Sequence, residues 1–287
     1  MSKKKKFIFS CLYVVLVLSF FMVYLFPADE VKTYMLSRLN SSGSAFDVSI
    51  ARVKPAFPPG LALGEVSISH QNNLFFKIEI LKLTPKLWTL LGPKTTVAVA
   101  GKTGGGTLAG RMDLPRGNPG QRAIFQTRVA GIRLEDNAAL KNLLNLDISG
   151  VVDGNITFEG TQTPPEKFTA QLVLSDCKID LPPGILKTGM LKFKNIKTDL
   201  SAESKSIRIE NCSFQGEQMT GSISGAITLM HPISKSRINL NGSVQPHHQL
   251  LKDLGINFSA GLFAKKRQKN NRLSVRIGGT IEKPTFF

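Results

Sequence analysis

GVVDGNITF (150–158) returns in outline as GSISGAITL (221–229) and GTLAGRMDL (106–114), each running Gly, any, apolar, any, Gly, any, apolar, any, apolar. Residues two apart share a face of a β-strand. One face of 150–158 therefore carries Gly150, Val152, Gly154, Ile156 and Phe158, and the other Val151, Asp153, Asn155 and Thr157. In 221–229 the same division sets Gly221, Ile223, Gly225, Ile227 and Leu229 against Ser222, Ser224, Ala226 and Thr228. Each strand presents an apolar face interrupted by glycine, which packs nothing and weakens a strand. Three accounts fit: bulges that curve the sheet, close approach of a neighbouring backbone, or a trough for a foreign chain such as an acyl tail.

Period-two alternation extends outward from these stretches. FDVSI places Phe46, Val48 and Ile50 on one face, and FKIEI places Phe76, Ile78 and Ile80 on one face. Further alternating runs continue to RLSVRIGGTI at the end of the chain, separated by TPPEK, PPG, HPIS and QPHHQLL. Helical signals are short: PADEVKTYMLSRLN (27–40), LTPKLWTLLG (83–92) and EDNAALKNLLNLD (135–147). In the second, Pro85 starts and Gly92 ends a helix with Leu83, Leu87, Leu90 and Leu91 apolar and Trp88 as its packing anchor. In the third, Leu140, Leu143, Leu144 and Leu146 form the stripe. Dense strands with two or three short helices predict a mainly β, mostly antiparallel sheet of hairpins and meanders whose apolar face the chain's own helices cannot cover.

Residues Phe7–Phe26 carry no charge, and fourteen of these twenty are Leu, Ile, Val or Phe. As a helix they reach about 30 Å, the thickness of a bilayer's hydrocarbon core. A cleaved signal peptide has a shorter apolar region ending in a small-x-small site, whereas this run continues into FPADEVK. Four lysines, Lys3–Lys6, precede it, and only Lys32 and Arg38 closely follow, which keeps the amino end cytoplasmic. The expected division is a basic cytoplasmic tail (1–6), a single transmembrane anchor (7–27) and an exported β-rich body (28–287).

Thirty-seven Lys and Arg against twenty Asp and Glu leave +17, an attraction to anionic surfaces in general. An exported body meets little nucleic acid, and with three Tyr and one Trp it has few stacking partners, so no nucleic-acid partner is expected. KKRQKNNR reads either as a solvated loop or, through Lys265, Lys266, Arg267, Lys269 and Arg272, as a contact for anionic headgroups. AGKTGGGT lacks the first glycine of a phosphate loop, Thr96 standing there, and reads as a turn. His70, His231, His247 and His248 have no metal-ligand spacing, and His247 and His248 read as a solvated turn. No nucleophile elbow occurs. The reading is of a protein that is not an enzyme and takes no cofactor or metal. Cys177 and Cys212 are either two half-buried thiols or, in an oxidising compartment, a bridge.

Taken in order, the apolar anchor, PPGLAL, LTPKLWTLLGPKTTVAVAGKTGGGTLAG, GIRLEDNAALKNLLNLDISGVVDGNITFEG, TGSISGAITLMHPISKSRINLNGSVQP and GGTIEKPTF resemble the type II secretion system protein N family, relatives of AsmA-like envelope proteins. The similarity spans almost the whole body; KKRQKNNR has no counterpart in the family pattern. The resemblance implies a single-pass inner-membrane protein with its bulk in the periplasm, an accessory of the type II secretion apparatus whose partners are the other secretion subunits. Through the AsmA relatives it also implies a curved half-pipe with an apolar interior suited to phospholipid, and hence an alternative role as a phospholipid-binding or transport scaffold. On that reading Leu108, Met112, Leu114, Val152, Ile156, Phe158, Ile223, Ile227 and Leu229 line the groove, and Gly110, Gly154 and Gly225 are its gaps.

Overall fold

The computed structural model describes residues 24–40, 47–57, 59–70, 73–116, 122–136, 147–160, 167–181, 189–203, 206–230, 233–248, 250 and 272–286, with eight positions between 7 and 21. One helix is described over its full extent, α1 (Ala28–Asn40). The strands are β1 (Asp47–Ala56), β2 (Gly60–His70), β3 (Asn73–Pro85), β4 (Lys94–Thr103), β5 (Gly106–Pro115), β6 (Ala123–Arg133) and β7 (Ile148–Gly160). They continue as β8 (Lys167–Asp180), β9 (Met190–Glu203), β10 (Ser206–Gly216), β11 (Met219–Thr228), β12 (Arg237–Pro246), β13 (Leu273–Gly279) and β14 (Pro284–Phe286). All fourteen form one open antiparallel sheet in the order in which they occur in the chain.

In several strands the inward phase shifts by one residue part-way along, which keeps the apolar side chains on one face. In β1 the inward positions are Val48, Ile50, Val53 and Pro55, with Ala51 and Arg52 both exposed between them. The spacing i, i+2, i+5, i+7 repeats as Leu61, Leu63, Val66 and Ile68 in β2, and as Phe76, Ile78, Leu81 and Leu83 in β3. It returns as Leu172, Leu174, Cys177 and Ile179 in β8, Leu191, Phe193, Ile196 and Thr198 in β9, and Ile207, Ile209, Cys212 and Phe214 in β10. Two residues in succession face outward at each switch; at β10, and at β8 against β7, the pairing register shifts there as at a β-bulge, whereas β1, β2 and β3 change phase together with no shift of register. Glu65 and Asp176, the two non-glycine residues with positive φ among the described residues (51° and 50°), sit at two of these switches. Ile80, expected on the face of Phe76 and Ile78, is 45% exposed because the switch in β3 falls between it and Ile78.

Beneath α1 lies the best-buried part of the sheet. Ile50, Val53, Leu63, Val66 and Ile78 cluster there, with Phe26, Val31, Met35 and Leu36 packed on them. Fully burying a side chain of this size contributes about 1.5–3 kcal/mol. Asp29 and Glu30 in the first turn and Arg38 in the last suit the helix dipole. Asn40 ties the helix end to β1: its Nδ2 donates to Val48 O (3.1 Å), and its Oδ1 accepts from Val48 N (2.9 Å). The helix thus runs antiparallel to β1 and starts at the sheet end that holds the β1–β2 and β3–β4 turns.

No helix among the described residues is long and apolar enough to cross a membrane. Nine of the 21 positions of the predicted crossing (7–27) lie outside the described residues. Those described from Phe7 to Tyr24 are helical, and Phe7, Tyr13 and Tyr24 are 73%, 66% and 77% exposed.

Three further expectations change. LTPKLWTLLG forms a five-residue 3-10 turn, Leu87–Leu91, between β3 and β4, and Trp88, expected to pack, is 82% exposed. Leu83 and Pro85 belong to β3, which leaves too little chain before Gly92 for an α-helix to bury a stripe. The helix expected over 135–147 lies mostly outside the described residues. His247 is no solvated turn: its Nδ1 meets Glu217 O (3.0 Å) and its Nε2 meets Thr220 Oγ1 (3.1 Å), pinning the β10–β11 turn.

Cys177 and Cys212 are both free. Cys177 faces Phe193 and Cys212 faces Thr198, so they flank β9 on opposite sides, five residues apart along it. With strands about 4.8 Å apart and a rise of about 3.4 Å per residue, they lie far beyond the roughly 7 Å between Cα atoms that a disulfide tolerates. Burial pushes the Cys177 thiol up.

Candidate apolar groove

Because the strands pair in order, the register carries rows of side chains straight across the sheet. One row runs Leu83, Val99, Gly110, Thr127, Ile156, Ala170 and on through Leu200, Ile209, Gly225, Leu240 and Ile277. It spans eleven strands, about 48 Å at the usual spacing. A second row runs Val97, Met112, Phe125, Phe158, Phe168, Ala202, Ile207, Ile227 and Ile238. A third holds Gly101, Leu108, Val129, Gly154, Leu172, Thr198, Cys212, Ile223, Gly242 and Val275.

Six of the nine predicted lining residues stand in these rows: Leu108, Met112, Ile156, Phe158, Ile223 and Ile227. Val152 lies alongside, opposite Ile132 and Leu174; Leu114 faces Thr95; Leu229 follows the end of β11. None is buried. Leu114 is exposed and the other eight are half-buried. Sequence reasoning missed Leu172, Leu200, Ile209, Leu240 and Ile277, which share the face; the alternation in their own strands was the available signal. Of the predicted headgroup contacts, Lys265, Lys266, Arg267 and Lys269 lie outside the described residues, and Arg272 is exposed just before β13.

The glycines answer the question set by GVVDGNITF. A Cβ built on Gly154 would collide with the carbonyl oxygen of Gln171 in β8 and lie 3.0 Å from Leu172 Cα. At Gly225, where φ is +143°, it would collide with Asn239 O and lie 2.8 Å from Leu240 Cα. Gly110 is closed in the same way by Gln126 O and Thr127 of β6. Adjacent backbones approach too closely for a side chain, so these gaps are conditions of strand pairing and not spare room.

The face widens into a cavity of about 500 Å³ where α1 begins, lined by Phe26, Phe57, Pro59, Leu61, Leu83 and Val97 among other apolar or proline residues. The opposite face is polar. Glu65 accepts from Arg52 Nη2 (3.0 Å) and Lys77 Nζ (3.3 Å); hydrogen bonding to Lys77, then its charge, then Arg52, holds the carboxyl below the usual range. Asp113 is lowered chiefly by the hydrogen bond from Thr96 Oγ1 (2.7 Å), with Lys94 Nζ at 3.4 Å. Among the described residues no three His, Cys, Asp or Glu side chains gather as a metal site.

Comparison of the chain with protein-family models, with curated proteins and with solved structures found no match.

Proposed function

We propose that this protein is a non-enzymatic scaffold, tethered to the inner membrane by residues 7–27, whose apolar sheet face holds phospholipid acyl chains. The observation that carries this reading is the run of mainly apolar rows across eleven strands, most of whose side chains are only half-buried although Val99, Thr127, Val129 and Ala170 are buried, whereas a sheet with a complete core buries that face. The AsmA-like half-pipe suggested by the sequence motifs supplies a shape for it, and the apolar cavity beside α1 supplies an end near the tether.

Its test is the phospholipid that accompanies the purified full chain, counted by mass spectrometry. The comparison is residues 1–27 fused to an unrelated soluble domain, which retains only lipid bound around the anchor. More phospholipid per polypeptide on the full chain is expected; equal amounts would dispose of the groove.

As the cellular setting we propose the periplasmic side of the type II secretion apparatus, with the sheet body meeting other secretion subunits. The ordered motifs from PPGLAL to GGTIEKPTF support this. Deleting the gene is expected to reduce export of folded substrates, and unchanged export would remove that setting while leaving lipid binding intact.

A further inference from the structure

The anchor reading concerns residues 7–27, yet the sheet end beside it has unusual chemistry of its own. Phe57 is 91% exposed, Trp88 82% and Leu91 96%, the last two on the 3-10 turn and the first in the β1–β2 turn. Both turns belong to the end where α1 starts. Phe26, the last residue of the uncharged run, lines one cavity with Phe57 of the first turn and with Pro85 and Val97 beside the second.

The 3-10 turn is braced rather than loose. Thr89 Oγ1 donates to Lys86 O (2.6 Å) and accepts from Thr96 N (3.0 Å), Gly92 N donates to Thr89 O (3.1 Å), and Arg116 Nη1 donates to Leu90 O. A braced turn holding a Trp and a Leu almost wholly outside the protein spends apolar surface on something beyond the chain. Lys86, Lys94 and Arg116 are exposed around it. Apolar and aromatic tips with a basic collar suit a bilayer interface, where Trp seats its ring among headgroups and cations meet phosphates.

We propose that Phe57, Trp88 and Leu91 form a second membrane contact that dips into the outer leaflet of the membrane holding the anchor. The contact seats the α1 end of the sheet, with its cavity, on the lipid surface. It rests on the reading of residues 7–27 as a membrane helix, because the helix fixes which end of the sheet faces the bilayer.

Trp88 is the only tryptophan in the chain, so its emission reports this turn alone. The full chain is reconstituted into phosphatidylcholine–phosphatidylglycerol vesicles, and carbonate-resistant flotation scores the anchor separately. Trp88 emission is then compared with and without lipids brominated near the headgroup end of their chains. Quenching of about two-fold or more is expected for a ring at the interface, with weak quenching by aqueous acrylamide. In the variant Phe57→Ser with Leu91→Ser, both positions being exposed, the lipid quenching is expected to fall while the protein still floats. Flotation with Trp88 open to acrylamide and untouched by brominated lipid would overturn the contact and leave the anchor standing. Failure to float would overturn the anchor and the contact together.

Discussion

Gly154→Ala is expected to cost the fold more than about 3 kcal/mol, and Gly154→Leu to leave little folded protein, since overpacking a tight site costs 1–3 kcal/mol even where neighbours can yield. Here they cannot yield: the first atom met is Gln171 O, a backbone carbonyl of β8, with Leu172 Cα behind it. Relief would require β7 and β8 to separate, breaking ladder hydrogen bonds on both sides of the pair. Gly225→Ala should behave alike against Asn239 O. The matched control is Gly64→Ala in β2, where the added methyl meets nothing nearer than Arg52 Cβ at 3.5 Å and the change should stay within about 0.5 kcal/mol. Urea denaturation of the full chain in detergent compares the three. Equal stability of Gly154→Ala and Gly64→Ala would mean that the strands are not as close as described.

The second large effect concerns lipid. Ile156→Glu combined with Ile227→Glu places two carboxylates on the apolar face, where Ile156 lies between Thr127 and Ala170 and Ile227 between Ile207 and Ile238. An acyl chain against either charge would have to desolvate it, and even one such group disfavours binding by several kcal/mol. Co-purified phospholipid is expected to fall by more than about ten-fold, since each 1.4 kcal/mol is a factor of ten. Both side chains are only half-buried, so the charges keep access to water and the sheet should survive. Asn155→Glu with Ser224→Glu puts the same two charges one and three residues away, on the polar face. Lipid should be unchanged there. If both pairs lowered lipid equally, the apolar face would not be its seat.

The two-residue period was readable from the start: Ile156, Ile223 and Ile227 could be placed on one face because nothing interrupts alternation in β7 or β11. It failed at Ile80, because Glu79 and Ile80 face outward in succession and so shift the phase, which a period-two reading cannot see. The spacing i, i+2, i+5, i+7, present in β1, β2 and β3 alike, was the available sign. Trp88 misled for a different reason: apolar spacing in a ten-residue stretch says nothing of whether any partner surface is within reach. Of the three accounts the glycines allow, close approach of a neighbouring backbone is the one their surroundings support, and sequence could not choose it because it shows a missing side chain but not the carbonyl that excludes one. Cys177 and Cys212 looked alike by local context and are separated by a whole strand.

Pairing each strand only with its predecessor and successor has a kinetic corollary. Every addition closes a loop no longer than one connection, and closure entropy grows only slowly with loop length. The sheet can therefore zip from the β1–β2 hairpin outward, with each completed edge serving as template for the next segment to arrive. A polypeptide delivered amino end first through a narrow passage meets its partners in the sequence in which it needs them. It does not have to hold an unpaired strand in reserve for one still to come.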